Sequence, residues 1–249
     1  CICAPLAQTL RYGENPHQKA ALYGHWGMCY TQLQGKELSY NNINDTDGAL
    51  ACLKEFDEPA CVVVKHANPC GVATGQDITE VFRRAYNADA LAAFGGIVAL
   101  NRICTKEIAE ELNKVFVEIV MAPSFDPEAL TILKKKPKVR VLQLQSLSSY
   151  RRGQGEVCDS AQGKIDFRFI SGGMLVQDKD TNIVQESNLQ FVTEKKPTPE
   201  EIRDMLFGWK VLKHVKSNAI VIAKNNTTLG IGPGQVSRVD SVAIAVRKS

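Results

Sequence analysis

From about residue 60 onward the chain switches between short apolar runs and longer amphipathic segments. Val62–Val64, Gly96–Leu100, Val117–Met121 and Val139–Leu142 are compact runs rich in β-branched residues, and they predict buried strands. Between them, Asp77 caps a helix to about Ala88, Thr105 opens one to about Lys114, and Asp126-Pro127 starts a third with Asp as N-cap and Pro at the first helical position. Strands alternating with helices predict an α/β layered fold. Residues before 60 are turn-rich. Tyr12-Gly13-Glu14-Asn15-Pro16 and Tyr40-Asn41-Asn42-Ile43-Asn44 read as loops, as does Ala67-Asn68-Pro69-Cys70-Gly71 after the first strand.

The second part of the chain has a different texture. Residues 143–165 are polar and read as a connection, and apolar character resumes over Phe167–Val176. Thr198-Pro199-Glu200-Glu201 is a capping box, followed by Ile202, Met205, Leu206, Trp209, Leu212 and Val215 at helical spacing, which predicts a core-facing stripe. Ala219–Ala223 reads as a strand, Asn225-Asn226 as a turn, and a helix begins near Ser237 and runs to Ser249, leaving a βαβ unit unfinished. The chain also starts at Cys1 without an initiator Met, so a piece of a longer chain is expected. No internal repeat is evident by eye.

Composition narrows the class. With 249 residues, 44% hydrophobic and 23% charged, a sizeable core is affordable and disorder is not expected. The net charge of +3 is too small to argue for nucleic acid, and the basic runs Lys134–Lys136 with Lys138 and Arg151-Arg152 read as solvated charge. A stretch of about 18 apolar residues is lacking, so no membrane span is expected. The eight cysteines (Cys1, Cys3, Cys29, Cys52, Cys61, Cys70, Cys104 and Cys158) include no CxxC pair, which favours a reduced, cytoplasmic protein.

Several positions carry candidate chemistry. Lys65-His66 ends a buried strand, and ligands in open α/β sheets gather beyond carboxyl ends of strands. An adjacent cation favours the neutral, proton-accepting imidazole; the bland alternative is a histidine that merely packs at a strand end. Arg11-Tyr12-Gly13-Glu14-Asn15-Pro16-His17-Gln18 concentrates donors in a turn, and Arg11 can grip an oxyanion through paired hydrogen bonds. Ala93-Phe94-Gly95-Gly96 brings backbone within reach of a ligand or simply makes a tight turn. Glu118 lies in an apolar strand, where a carboxylate needs a partner unless strand alternation turns it to solvent. Gly230, Gly232 and Gly234 form a weak anion-cradling signal. His66-Ala67-Asn68-Pro69-Cys70 lacks the glutamate and second cysteine of zinc deaminases, so no metal is expected there.

An ordered series of segments is similar to the transformylase part of the AICAR transformylase/IMP cyclohydrolase family (AICAR is 5-aminoimidazole-4-carboxamide ribonucleotide). They are Leu10–Gln18, Val64-Lys65-His66 through Pro69 and Gly71, Phe94-Gly95-Gly96, Glu118 with Ala122-Pro123, Gly173–Asp178, Ser217-Asn218-Ala219, Ala223-Lys224-Asn225, and Gly230–Gly232 through Gly234-Gln235 with Ser237-Arg238. The resemblance implies an α/β fold of two cytidine-deaminase-like units. Residues 1–165 would be the first unit with its N-terminal substrate loop, 166–215 a connecting segment with a helix, and 216–249 the start of a second, incomplete unit. It also implies formyl transfer from 10-formyltetrahydrofolate, a co-substrate, to the 5-amine of AICAR, in a cytoplasmic homodimer with shared active sites and without metal. On this resemblance His66 is the base and Lys65 stabilises the oxyanion or the departing folate nitrogen. Arg11, Tyr12, His66, Gly95, Glu118, Asn218 and Arg238 bind substrate, Val239 contacts folate, and His17 has no firm role. Glu118 stands where some relatives carry Asp. The resemblance gives no counterpart here to the family's cyclohydrolase domain or to much of its folate site.

Two other readings remain beside this one. The chain is a fragment that binds AICAR or pairs with itself without turnover, or a nucleotide-binding α/β protein that uses the glycine loop near Gly232.

Overall fold

A computed structural model describes residues 4–25, 27, 29–145 and 165–249. Its centre is β4 (Ala60–Lys65), whose first five residues are buried. β4 pairs antiparallel with β5 (Asn68–Thr74) on one side and with β6 (Ile97–Leu100) on the other. β7 (Ile119–Ala122) and β8 (Arg140–Leu144) continue parallel to β6, and β3 (Tyr30–Gln34) closes that side antiparallel. Beyond β5 lie β12 (Thr227–Gly232) and β11 (Ile220–Lys224), giving an eight-stranded sheet in the order β11-β12-β5-β4-β6-β7-β8-β3. Two hairpins stand outside it: β1 (Leu6–Leu10) with β2 (Ala20–Tyr23), and β9 (Ile165–Ile170) with β10 (Gly173–Asp178).

Helices cover both faces. Alternation along β4 sends Val62 and Val64 to one face, with α1 (Tyr40–Leu53) and α6 (Pro199–Leu212), and Cys61 and Val63 to the other. That second face carries α2 (Ile78–Asn87), α4 (Lys106–Leu112) and α5 (Pro127–Leu133), with the short α3 (Ala90–Ala93) leading into β6. α7 (Arg238–Lys248) packs on β12. The α/β expectation is met. Among the described residues no helix is long and apolar enough to cross a membrane. The described cysteines form no disulfide.

Several local expectations change. Tyr40–Asn44 is not a loop but the first turn of α1. Ser39 accepts from the Asn42 backbone N–H at 3.2 Å and Asn42 Oδ1 accepts from the Ser39 N–H at 3.1 Å, a capping box built with asparagine. Hydropathy hides this helix because Asn42 and Thr46 lie on its buried face. The segment after Lys65 is likewise no loop: β5 starts at Asn68, and the connection is the two residues His66 and Ala67. Pro69 fits within β5 because the pairing with β4 shifts there. Asp126 is the N-cap residue of α5 with Pro127 next to it, as expected, but its side chain makes no cap hydrogen bond; its Oδ2 instead accepts from the Lys106 N–H at the start of α4. In α6 the buried positions are Ile202, Phe207 and Val211, whereas Met205 and Trp209, expected in the core, are 45% and 55% exposed. Glu118 precedes β7 rather than lying within it. Of the polar connection 143–165, positions 146–164 lie outside the described residues.

The structure also contains an internal repeat. Ser39 and Thr198 head capping boxes, Asp45 and Asp204 sit one and a half turns into the helices they open, Lys65 and Lys224 end β4 and β11, and Gly71 and Gly230 lie in β5 and β12. Each pair has the same separation along the chain. His66-Ala67 and Asn225-Asn226 are matching two-residue turns, with φ of 51° and 57° in the first and 52° and 53° in the second. The two copies meet where β12 pairs antiparallel with β5.

Across this junction Glu55 Oε1 lies 2.9 Å from both Lys213 Nζ and His214 Nε2. Burial alone would raise the Glu55 carboxyl, but hydrogen bonds from His214 and Lys213 outweigh it and hold the group below its ordinary value. A carboxylate depressed in the folded state contributes stability above its unfolded value and loses it as the pH falls through the folded one. Glu55→Gln is therefore expected to cost about 2 kcal/mol at neutral pH. The gap from the parent should shrink below roughly pH 4. Urea unfolding at both pH values checks this.

Candidate functional site

Parallel pairing aligns Ile97, Ile119 and Arg140 across β6, β7 and β8, and Val64 pairs with Ile97. Lys65, Gly95, Gly96, Glu118 and Arg140 therefore collect at one end of the sheet. That end is the carboxyl end of β4, as expected, but the amino end of the three parallel strands. The antiparallel step from β4 to β6 reverses the polarity.

Lys65 Nζ donates to the Gly95 carbonyl at 2.8 Å. Gly95 has φ +67°, and an added Cβ there would lie 3.1 Å from Lys65 Nζ and 3.0 Å from Phe116 Cε1. Glycine is needed for both reasons. Gly95→Ala is expected to lose about 1–2 kcal/mol from the left-handed backbone alone and to push the Lys65 ammonium off its carbonyl. Thermal unfolding together with turnover measures both parts. Phe94 and Phe116 stand beside this position with ring centroids 5.1 Å apart, both partly exposed.

Glu118 is only half-buried, its side chain turned partly to solvent, and it has polar partners. Its Oε2 accepts from Asn42 Nδ2 at 2.9 Å and lies 3.9 Å from Arg140 Nη1. Arg140 is itself fixed, since its Nε and Nη2 donate to the Glu37 carbonyl. His66 follows Lys65 with an exposed imidazole. Its turn is held from α1, where Asp45 Oδ1 accepts from the Ala67 N–H at 2.7 Å. Burial raises the Asp45 carboxyl first of all, against the lowering effects of the Ala67 hydrogen bond and of His66 and Lys65. Burial also pushes the neighbouring Cys70 thiol up to about 12, so it is not a nucleophile near neutral pH.

The remaining candidates reach this end less directly. Arg11 stacks on Tyr12 at 5.7 Å, and their loop is tied to α1 where Asn41 Nδ2 donates to the Glu14 carbonyl at 3.2 Å. His17 is exposed on the same loop. Asn218 Nδ2 donates to the Gln235 and Val236 carbonyls, and its own carbonyl accepts from Ser241 Oγ. That segment touches the His66 turn through the Lys216 N–H, which donates to Asn68 Oδ1 at 3.2 Å. Arg238 and Val239 are exposed in the first turn of α7.

The glycine-loop reading is overturned. Gly230 and Gly232 lie inside β12, and a Cβ on either would collide with the Ala245 or Ser241 carbonyl of α7. They allow a helix to pack closely and do not line an anion cradle; only Gly234, with φ +66°, is in the loop.

Sequence reasoning passed over Asn42, Asp45 and Arg140. The one available signal was Ser39-x-x-Asn42, a capping box with Asn in place of Glu.

Residues 3–248 match the family described as AICARFT/IMPCHase bienzyme. The chain is 50% identical over 245 residues to the bifunctional purine biosynthesis protein PurH of Acetivibrio thermocellus, covering 96% of this chain and 46% of that protein. PurH of Caldicellulosiruptor saccharolyticus is 50% identical over 250 residues, and that of Roseobacter denitrificans 49% over 252, each again covered for 46% of its length. The chain thus spans about half the length of these relatives.

Proposed function

The chain belongs to the AICARFT/IMPCHase bienzyme family, and on that premise we propose that the protein containing it transfers a formyl group from 10-formyltetrahydrofolate to the 5-amine of AICAR, on the route to IMP. The observation that carries this reading is the Lys65–His66 corner. It sets an ammonium anchored on the Gly95 carbonyl beside an exposed imidazole, at a sheet end that also gathers Glu118 and Arg140.

The chemistry follows from these groups. The amine of AICAR is delocalised into its ring and is a poor nucleophile. As its nitrogen bonds to the formyl carbon, His66 takes the amine proton. Lys65 stabilises the oxyanion that forms, and the bond from the formyl carbon to the folate nitrogen then breaks, with a proton returned to that nitrogen. Arg11 and Tyr12 come from the loop tied to Asn41, and Asn218 and Arg238 from the segment joined to Asn68. They bind AICAR together with Gly95 and Glu118, and Val239 contacts the folate. The repeat supports two cytidine-deaminase-like units as the finer description of the fold. A cytoplasmic homodimer with shared sites, without metal, completes the proposal. Incubating the full-length protein with both substrates tests it directly: formyl-AICAR is expected, and its absence overturns the reading.

A further inference from the structure

The hydrogen bond from the Ala67 N–H to Asp45 has no place in the proton and formyl transfers, yet it acts on the residue beside the proposed base. We propose that Asp45 is a positioning residue for the reaction: its carboxylate fixes the left-handed His66-Ala67 turn and so sets where the His66 imidazole points. The inference rests on the formyl-transfer reading above.

Three observations support it. His66 and Ala67 both hold positive φ, 51° and 57°, without being glycine, a conformation uncommon for non-glycine residues and costly at an alanine, so a contact that holds it has a backbone preference to overcome. The contact is short, 2.7 Å from Ala67 N to Asp45 Oδ1. It also comes from a well-anchored element, because α1 is capped by Ser39 and is tied to Glu118 by Asn42 one turn earlier. Asp45 is thereby registered against the carboxylate of Glu118, which the proposed function assigns to substrate binding.

The repeat supplies a built-in control. Asp204 Oδ1 accepts from the Asn226 N–H at 3.0 Å, and the turn it holds, Asn225-Asn226, has the same backbone. There Asn225 occupies the position of His66, so the same bond secures a turn with no base on it. If the bond served the fold alone, breaking either copy would have the same consequence for turnover.

The test compares Asp45→Ala, Asp45→Asn and Asp204→Ala in the full-length protein, with kcat, KM for AICAR and Tm measured for each. Asp45→Ala is expected to lower kcat by about 10²-fold, as a misplaced reacting group does, with KM for AICAR changed by less than about threefold. Asparagine retains an acceptor oxygen, so Asp45→Asn is expected to recover most of kcat. Asp204→Ala is expected to lower Tm as Asp45→Ala does while leaving kcat at the parent value. Equal loss of kcat in Asp45→Ala and Asp204→Ala, parent-level kcat in Asp45→Ala, or failure of asparagine to rescue would each overturn the proposal. Should Asp45→Ala not fold, Asp45→Glu takes its place: its carboxylate is displaced by one methylene, and a fall in kcat at unchanged Tm supports the proposal whereas parent kcat overturns it. His66→Ala separates the two levels of inference. If His66→Ala is inactive and Asp45→Ala is not, only the positioning role fails. If His66→Ala turns over normally, the reading beneath it fails.

Discussion

Replacing His66 by alanine in the full-length protein is expected to lower kcat for formyl transfer by about 10²–10⁴-fold, the usual worth of a positioned general base. AICAR affinity should change little, because the groups assigned to substrate binding lie mainly elsewhere, on the Arg11-Tyr12 loop, at Gly95 and Glu118, and around Asn218. The imidazole is exposed and the backbone at His66 is already secured by its turn, so the substitution removes no core contact. Single-turnover measurements with saturating AICAR, beside calorimetric titration of the same variant, separate chemistry from binding. Parent-level turnover would remove His66 from the mechanism.

The largest expected effect on stability comes from Gly71→Ala. A methyl group at this position in β5 would run into the Ala85 carbonyl oxygen of α2, which is backbone and cannot swing aside. α2 would have to lift from the sheet, and with it the buried Val81, Phe82 and Ala85. A loss of about 4 kcal/mol or more is expected, at the severe end for a single substitution. In a domain of this size it corresponds to a fall in Tm of roughly 10 °C. Gly173→Ala is the control, since a methyl there meets nothing within 4 Å and should be close to neutral. Gly230→Ala should reproduce the Gly71 result, because its methyl would meet the Ala245 carbonyl of α7 in the same way. Calorimetric melting of the three variants decides.

The sequence by itself determined the elements whose signal is local. Val62–Val64 is a strand because β-branched residues crowd a short apolar run, and Asp77, Thr105 and Thr198 mark helix starts because their side chains satisfy free N–H groups within three residues. The ordered motifs around Lys65-His66 also brought the family into view. Only the tertiary structure decided what converges. Asn42, Asp45 and Arg140 join the site through partners tens of residues away, and no local pattern records such contacts. The first turn of α1 looked like a loop because its buried face carries Asn42 and Thr46, which hydropathy counts as solvent-seeking. Met205 and Trp209 have core spacing, yet packing turned Phe207 and Val211 to the sheet instead. The repeat is hard to see along the chain because its matching pairs, such as Ile43/Ile202, Asp45/Asp204, Leu53/Leu212, Val62/Val221, Lys65/Lys224 and Gly71/Gly230, are scattered among residues that differ. The roles of the Ser39/Thr198, Asp45/Asp204, Lys65/Lys224 and Gly71/Gly230 pairs appear only in three dimensions: a cap, a bond into a left-handed turn, a strand end and a close helix contact.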